Sequence, residues 1–364
     1  MSLKLFTILL MLGLSACSTI RYYGQSVQGQ LHILFSRESL DQVIENPNTS
    51  VELRRNLQQA KIIRQYASNH LALPENKSYL YYVDLKRPYV VWNVFAAPEF
   101  SLSPISWCYP VIGCVSYRGY FSKNDALREA EQLEASNLDV AVAGIAAYST
   151  LGWFNDPLLN TMLHWQQRTL AGLIFHELSH QIIYIKNETS FNEAFATSVE
   201  RLGTIQWLLE SLPDQIDNYL IYLSAQSDFR ALLLETRKQL DNLYKSPLNN
   251  NKKRKQKESL ITRMKLDYQK LKQKWPKHIH FDAWFSKPVN NARLTSAMTY
   301  LHDIPAFFQI FIEEKGRWPE YYRHVSELEN LSPEKRKSLI TNKASSAIDY
   351  VSIIKLIKGN IEPK

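Results

Sequence analysis

The residues of this chain whose types and spacing best suit chemistry are His176, Glu177 and His180, which form an H-E-x-x-H motif. On an α-helix, positions four apart lie one turn apart on the same face, so both imidazoles can reach one metal ion. A glutamate beside the first histidine can then hold a water molecule that the metal acidifies. The motif therefore predicts a zinc site with Glu177 as its general base.

The sequence around the motif predicts a buried helix, since apolar residues recur at helical spacing and no proline occurs from position 166 to 190. These apolar residues are Leu170, Leu173, Ile174, Leu178, Ile182 and Ile183. A helix that is apolar on most sides is usually buried. Two histidines and a glutamate inside it need a partner, which a zinc ion provides. The alternative is a pair of histidines that are satisfied within the core.

A third ligand is expected from the helix that follows. Thr189 or Ser190 can start this helix, which places Glu193 in its first turn. Ser190 and Glu193 also match a capping box, in which Glu193 would bond a backbone N–H instead. Because the histidine pair lies only 13 positions upstream, we favour the ligand role. His176, His180 and Glu193 are thus expected to bind one Zn²⁺ per chain.

The segment Phe-Asn-Glu-Ala-Phe-Ala at 191–196 resembles the third-ligand helix of gluzincin aminopeptidases. More closely, the chain is similar to the bacterial family of predicted aminopeptidases, which are often lipoproteins. The resembling segments are 111–114, 117–121, 147–154, the zinc motif and 290–294. The resemblance implies a zinc metallopeptidase and, more narrowly, an aminopeptidase whose substrate has an unblocked N-terminus.

The chain departs from the gluzincin aminopeptidases in two ways. The gap from His180 to Glu193 is shorter than theirs, and their G-x-M-E-N strand, which captures the free amine of the substrate, has no match. These differences bear on the amino-terminal specificity more than on peptidase activity. Two other functions stay open: a non-catalytic zinc-containing envelope lipoprotein, and an amide hydrolase acting on peptidoglycan peptides.

In the reaction that this site predicts, Glu177 takes a proton from the water that attacks the scissile carbonyl and hands it to the departing amine. A further donor should stabilise the oxyanion. The candidates for that donor are Tyr148, Tyr300, His302 and Arg118.

The first 17 residues predict a lipoprotein signal peptide, because Lys4 precedes an apolar run from Leu5 to Leu14 that is too short to span a membrane. The tetrapeptide Leu-Ser-Ala-Cys at 14–17 resembles a bacterial lipobox, in which cleavage occurs before the cysteine and Cys17 then carries lipid. Ser18 is not the aspartate that retains such proteins at the inner membrane. We therefore expect a lipid anchor in the outer membrane, with the protein facing the periplasm. An ordinary signal peptide is the alternative.

Composition predicts a packed globular protein, since 45% of the 364 residues are hydrophobic and aromatic residues include 20 Tyr and 8 Trp. The net charge of +8 would suit a nucleic-acid partner in the cytosol, but export argues against one. The basic run at 252–257 is interpreted as a solvated tip between two helices. Contact of this run with anionic lipid or envelope polymer is the alternative.

An exported chain with only two further cysteines, Cys108 and Cys114, predicts a short disulfide loop. A zinc knuckle is the alternative, although two cysteines cannot complete one.

The predicted fold class is α+β and predominantly α-helical, and by resemblance it is zincin-like, of the thermolysin or gluzincin type. Apolar, β-branched and aromatic runs predict strands at 79–83 and 89–95, separated by a turn at 86–88, and a third strand at 139–150. These strands form a small antiparallel sheet, and a helical hairpin at about 28–68 packs outside the site. A longer hairpin insertion covers about 217–275, with arms at 217–244 and 257–275. The chain divides into a signal peptide at 1–17 and one zinc peptidase domain at 18–364, with the metal site at 170–204.

The third strand is expected to pair with an extended peptide substrate through its edge. Tyr148 and Trp153, near its end, would then line the cleft, with simple core aromatics as the alternative. Arg293, in the segment 290–294, is either a substrate-binding donor or an ordinary salt-bridge residue.

Overall fold

Within the part of the chain that the structure describes, helices predominate and eight short strands form three small sheets. This computed structural model describes residues 20–109, 113–147, 149–150, 153–297, 304–343 and 348–361. The helices are α1 (20–35), α2 (Leu40–Glu45), α3 (Val51–Leu71), α4 (Lys123–Ala135), α5 (Gln167–Ser179), α6 (Thr189–Ser211), α7 (Ile216–Lys245), α8 (Asn250–Lys272), α9 (Asp282–Phe285), α10 (Asn291–Ser296), α11 (Ile304–Glu313), α12 (Trp318–Glu327), α13 (Pro333–Lys343) and α14 (Tyr350–Ile361). The strands are β1 (Glu38–Ser39), β2 (Tyr81–Val83), β3 (Val91–Pro98), β4 (Trp107–Tyr109), β5 (Gly113–Val115), β6 (Arg118–Tyr120), β7 (Leu138–Ile145) and β8 (Leu158–Leu159).

The predicted class, α+β with mostly helix, is confirmed. None of the helices within the described ranges combines the length and apolar character that a bilayer-spanning segment needs.

The predicted small antiparallel sheet is present, in the order β6-β3-β7. Strand β3 is buried from Val91 to Ala97, as expected of a central strand covered on both faces. Strand β2 lies elsewhere: it pairs antiparallel with β1 and parallel with β8 in a second sheet. The turn at 86–88 therefore joins two sheets. Lys86, in this turn, has a φ of 53°, in the left-handed region.

The site helices α5 and α6 lie in the largest hydrophobic core. Helix α3, which lies in the helical segment predicted at about 28–68, packs directly against α5. On the other side of α6, the fully buried ring of Phe195 contacts Phe307 and Tyr321, with centroid distances of 5.9 and 6.0 Å. Burying one such ring contributes about 1.5–3 kcal/mol to stability. The metal site is thus held from both sides by aromatic and aliphatic packing.

The long hairpin of α7 and α8 is present, and most of its basic run is exposed, although Arg254 and Lys257 pair with distant carboxylates. Helix α8 begins at Asn250, with Asn249 as a cap that accepts a hydrogen bond from Lys252 N–H, so the run is helical. Arg254 pairs with Glu99 at 2.6 Å. Lys257, which is buried, pairs with Asp139 at 2.6 Å, at the start of β7. These long-range ion pairs tie the hairpin to the β6-β3-β7 sheet.

Candidate metal centre

Helix α5 carries His176 and Glu177, and His180 follows it as the C-cap residue. The helix is shorter than predicted, because it ends at Ser179 and the chain then turns. His180 still keeps helical backbone angles (φ −61°, ψ −19°), so its ring stays one turn from that of His176. The two ring centroids are 5.0 Å apart. The local spacing of the motif therefore places both imidazoles on one side of the helix end.

Helix α6 brings the third ligand to the histidines. It begins at Thr189, as one of the two predicted starts, so Ser190 lies inside the helix and is not its N-cap. The Glu193 carboxylate lies against the imidazoles, with Oε2 3.3 Å from His176 Nε2 and Oε1 3.8 Å from His180 Nε2. This placement argues against the capping-box alternative.

Asn192, beside the third ligand, fixes the loop between the two helices. Its side-chain amide donates to the Ile185 carbonyl and its carbonyl oxygen accepts from Ile185 N–H, both at 2.8 Å. One buried side chain thus bonds both backbone groups of Ile185, and the Ile185 carbonyl also accepts from Glu188 N–H at 3.1 Å. Asn192 is not among the site residues predicted from the sequence.

The three side chains fit a metal ion. One ligand atom from each of His176, His180 and Glu193 lies within 4.8 Å of the other two. The His180 ring is buried, its Nδ1 has no hydrogen-bond partner among the described residues, and its Nε2 is too far from Glu193 for a good hydrogen bond. A buried polar ring left in this state is costly, and a cation at Nε2 would remove part of that cost. Two imidazoles and one carboxylate are a ligand set that catalytic zinc sites use.

Glu200 supports the first histidine from behind. Its Oε2 lies 3.1 Å from His176 Nδ1, on the far side of the ring from Glu193. Such carboxylates fix the tautomer and orientation of a metal-binding histidine. Gly172 makes the approach possible, because a Cβ there would lie 3.1 Å from Glu200 Cγ. Sequence reasoning missed Glu200, although it lies seven positions after Glu193 and therefore on the same helix face.

Without a metal ion, the pKa values of the two histidines shift in opposite directions. Burial alone would lower the pKa of His176, but hydrogen bonds to Glu193 and Glu200 outweigh it and raise that pKa. Burial, helped by the neighbouring His176, lowers the pKa of His180 to about 4. Burial would raise the pKa of Glu193, yet the two histidines lower it. A neutral His180 and an ionised Glu193 are the protonation states that metal binding needs.

Glu177 is held in a pocket beside these ligands. Burial raises its pKa to about 7, Glu193 and Asp156 add to the shift, and His176 and a hydrogen bond from Ser149 oppose it. Asp156 fixes the neighbouring loop, since it accepts hydrogen bonds from the Thr150 backbone N–H at 2.9 Å and from the Thr150 hydroxyl at 2.7 Å. A carboxyl with this pKa can accept and return a proton near neutral pH. Ser149 and Asp156 were not singled out from the sequence.

Two tyrosines lie close to the site. Burial raises the pKa of Tyr117, and the Glu193 and Glu177 carboxylates raise it further. The Tyr184 ring lies edge-on to His180 with centroids 6.4 Å apart, and its pKa is raised by burial and by Glu193. Both phenols therefore stay protonated and able to donate.

Among the predicted oxyanion donors, Arg118 is engaged elsewhere, with Glu129 at 3.1 Å and over the Tyr22 ring at 4.2 Å. Tyr148, Tyr300 and His302 lie outside the described residues.

The structure places two of the three predicted substrate-binding residues, Trp153 and Arg293. Trp153 is 72% exposed and lies on the same loop as Ser149. Arg293 donates to the Trp284 carbonyl at 2.9 Å through Nε. Tyr148 again lies outside the described residues.

Strand β7 is an edge strand, as the substrate-pairing prediction requires. Part of its outer edge is occupied, because Asn290 donates to the Val140 carbonyl and Lys287 to that of Val142. Any peptide pairing would thus use the end of the strand nearer to the site.

Cys108 and Cys114 form a disulfide that joins β4 and β5, in the arrangement predicted from their spacing. Cys17 and the predicted signal peptide lie outside the described residues.

Comparison with known proteins gives one finding about this chain. The model of a protein family whose description is "Putative aminopeptidase" matches residues 21–340, which include every candidate ligand and Glu177. No curated protein and no solved structure matches the chain.

Proposed function

Because the chain belongs to the family described as "Putative aminopeptidase", we propose that it is a zinc-dependent peptidase and, more narrowly, an aminopeptidase. The observation that carries the metal-dependent part is the convergence of His176, His180 and Glu193 beside a buried Glu177. A purely structural site has no need of an additional buried carboxylate next to its ligands. This argues against the non-catalytic lipoprotein as an alternative.

In the proposed reaction the three ligands would hold one zinc ion, and Glu200 would keep His176 oriented through Nδ1. A bound zinc ion supplies Lewis acidity, which polarises a carbonyl and lowers the pKa of a coordinated water to about 7. Glu177 removes the proton of the attacking water and then delivers it to the nitrogen of the departing amine. The hydrogen bond from Ser149 holds the Glu177 carboxylate in place for both transfers.

The oxyanion needs a donor from the protein, and we propose Tyr117 for this role. Its phenol is within electrostatic reach of both Glu193 and Glu177, and its raised pKa keeps the proton on the oxygen. The conservative variant Tyr117→Phe should lower kcat by about 100- to 1000-fold, the range for one lost donor, and leave zinc content unchanged. An unaltered kcat would remove Tyr117 from the mechanism.

The proposal is tested by measuring bound zinc and peptide turnover together, in chain purified without chelator. Wild type should hold one zinc ion and hydrolyse peptides. Glu193→Ala should lose zinc, whereas Glu177→Gln should keep zinc and lose turnover. Zinc-free wild type, or Glu177→Gln with substantial turnover, would overturn the mechanism.

The substrate class needs a separate comparison. We expect peptides with a free N-terminus to be cleaved faster than the same peptides with an acetylated N-terminus. Equal rates would show that the peptidase does not recognise the free amine of its substrate. Preferential cleavage of a peptidoglycan peptide would favour the envelope amide hydrolase.

We also propose that the protein is attached to the outer membrane by a lipid on Cys17. The proposal is supported by the short apolar run and the Leu-Ser-Ala-Cys sequence at 14–17. Mass spectrometry of the N-terminal peptide of the full chain, purified from membranes, should show a lipid on Cys17. An unmodified N-terminus there would exclude it.

A further inference from the structure

Helix α1 exposes a continuous apolar stripe. Its members recur at spacings of three and four, so they lie along one side of the helix. They are Ile20, Tyr23, Val27, Leu31 and Phe35, all exposed, with Ile20 at 70% and Phe35 at 83%. From position 20 to position 35 the helix rises about 22 Å, which is the length of the stripe. Scattered single apolar residues are normal on a protein surface, but a continuous row of five on one helix face marks an interaction site.

The opposite side of α1 is fixed to the protein, so the stripe cannot turn inward. The Tyr22 ring packs against those of Tyr109 and Tyr120, with centroids 5.8 and 5.4 Å away. Gln25 accepts a hydrogen bond from Phe121 N–H at 3.0 Å. At Gly29 an added Cβ would lie 2.2 Å from the Phe121 ring, so only glycine allows this approach. The helix therefore holds its apolar side toward the outside.

We propose that this stripe lies in the interfacial layer of a phospholipid bilayer and is a second membrane contact beside the N-terminal anchor. A bilayer is favoured as the partner of this stripe by the residues that precede α1. Cys17 precedes Ile20 by three residues, which span about 10 Å at most. A lipid on Cys17, or an uncleaved apolar run at 5–14, would hold the start of α1 at the membrane surface. The inference goes beyond the proposed peptidase activity and does not depend on the metal site.

The attraction is apolar rather than electrostatic. Helix α1 carries Arg21 and His32 as its only ionisable cations, and Arg21 pairs with Asp125 at 3.1 Å. Interfacial helices bind by buried apolar area plus attraction to anionic lipid, and here the first contribution dominates. Tyr23 suits the headgroup region, where aromatic residues with a polar end concentrate. Binding should therefore persist at high salt, unlike that of a basic surface patch.

The test uses chain from residue 18 onward, which lacks the lipid, so that any binding has to come from the protein surface. Circular dichroism checks that this shortened chain is folded. Co-flotation with phosphatidylethanolamine–phosphatidylglycerol vesicles measures the partition coefficient at about 0.1 M and about 0.5 M salt. Val27→Ser/Leu31→Ser removes the centre of the stripe. Val51→Ser/Leu339→Ser removes exposed apolar groups elsewhere and is the matched control.

Wild type and control should bind equally at both salt concentrations, and the stripe variant should bind at least tenfold more weakly. Absence of wild-type binding, or equal binding of all three proteins, would overturn the proposal. A wild-type dimer in light scattering that only the stripe variant dissociates would also overturn it, since a second copy would then cover the face.

A second arm uses the full chain in nanodiscs, with a spin label at Leu31→Cys or, as control, at Val51→Cys. Label at position 31 should be shielded from a water-soluble relaxation agent and accessible to oxygen, and label at 51 should show the reverse. Unsubstituted chain, labelled in parallel, corrects for any reaction at Cys17. Equal accessibility at both positions would refute the bilayer contact in the anchored protein.

Discussion

Removing the Glu200 carboxylate should weaken zinc binding although Glu200 is not a ligand. Glu200 Oε2 lies 3.1 Å from His176 Nδ1, so Glu200→Ala leaves that nitrogen without its partner and lets the imidazole reorient. Supporting groups of this kind typically contribute 10- to 100-fold to metal affinity, on the order of 1.4–2.7 kcal/mol.

The structure favours the lower end of this range. The Glu200 side chain is 37% exposed, so solvent screens its charge and water can partly replace it. We expect the zinc dissociation constant to rise about tenfold for Glu200→Ala. Glu200→Gln keeps an acceptor and loses only the charge, so its effect should be about threefold, between wild type and alanine.

The assay is competition with a chromophoric chelator at pH 7. Glu210→Ala is a matched control, because Glu210 lies on the same helix and holds His70 Nδ1 at 3.2 Å, outside the metal site. The control should bind zinc as wild type does. If Glu200→Ala and Glu210→Ala bound zinc equally well, Glu200 would have no part in holding the ligand.

Three further predictions concern the site loop, the hairpin and pH. Asn192→Ala leaves the Ile185 N–H without a partner, whereas the Ile185 carbonyl keeps its bond from Glu188 N–H, so the substitution should lower the free energy of unfolding in urea by about 1–3 kcal/mol and lower the zinc content; an unchanged midpoint would contradict the loop contact. Lys257→Met leaves Asp139 without its cation, so it should lower the free energy of unfolding by about 2–3 kcal/mol. Zinc content and turnover should stay at wild-type levels, and a loss of zinc would show that the hairpin affects the site. Burial lowers the pKa of His180 to about 4 from 6.5, so its contribution to the stability of metal-free chain is present above pH 6.5 and is lost as pH falls toward 4. The difference in unfolding free energy between wild type and His180→Gln, measured in chelator, should therefore shrink by about 2 kcal/mol between about pH 7 and about pH 5, and a constant difference would refute the assignment.

The part of the site that the sequence determined is the part that depends on local geometry. Helical spacing alone places His176 and His180 one turn apart with Glu177 beside them, and the α-helix needs no distant contact to do so. The start of the next helix near Thr189 was equally local, since it depends on residue types within one turn. A predominantly helical α+β fold followed from the same periodicities.

Sheet pairing was not determined in this way. The runs at 79–83 and 89–95 read alike as strands, but β2 and β3 belong to different sheets, because β2 finds its partners in β1 and in β8 about 75 residues later. An alternation of side chains with a period of two indicates a strand, but it does not specify which other strand pairs with it. The basic run at 252–257 likewise reads as a solvated tip until its partners Glu99 and Asp139, more than 100 positions away, are known.

The tertiary structure alone decided what surrounds the ligands. Glu200 reaches His176 across 24 positions, and only the close crossing of α5 and α6 at Gly172 brings them together. Ser149 reaches Glu177 from a loop that leaves the sheet, and burial by those same elements raises the pKa of that carboxyl to about 7. Spacing along one helix fixes which side chains share a face, whereas desolvation and contacts between elements exist only once the chain has packed.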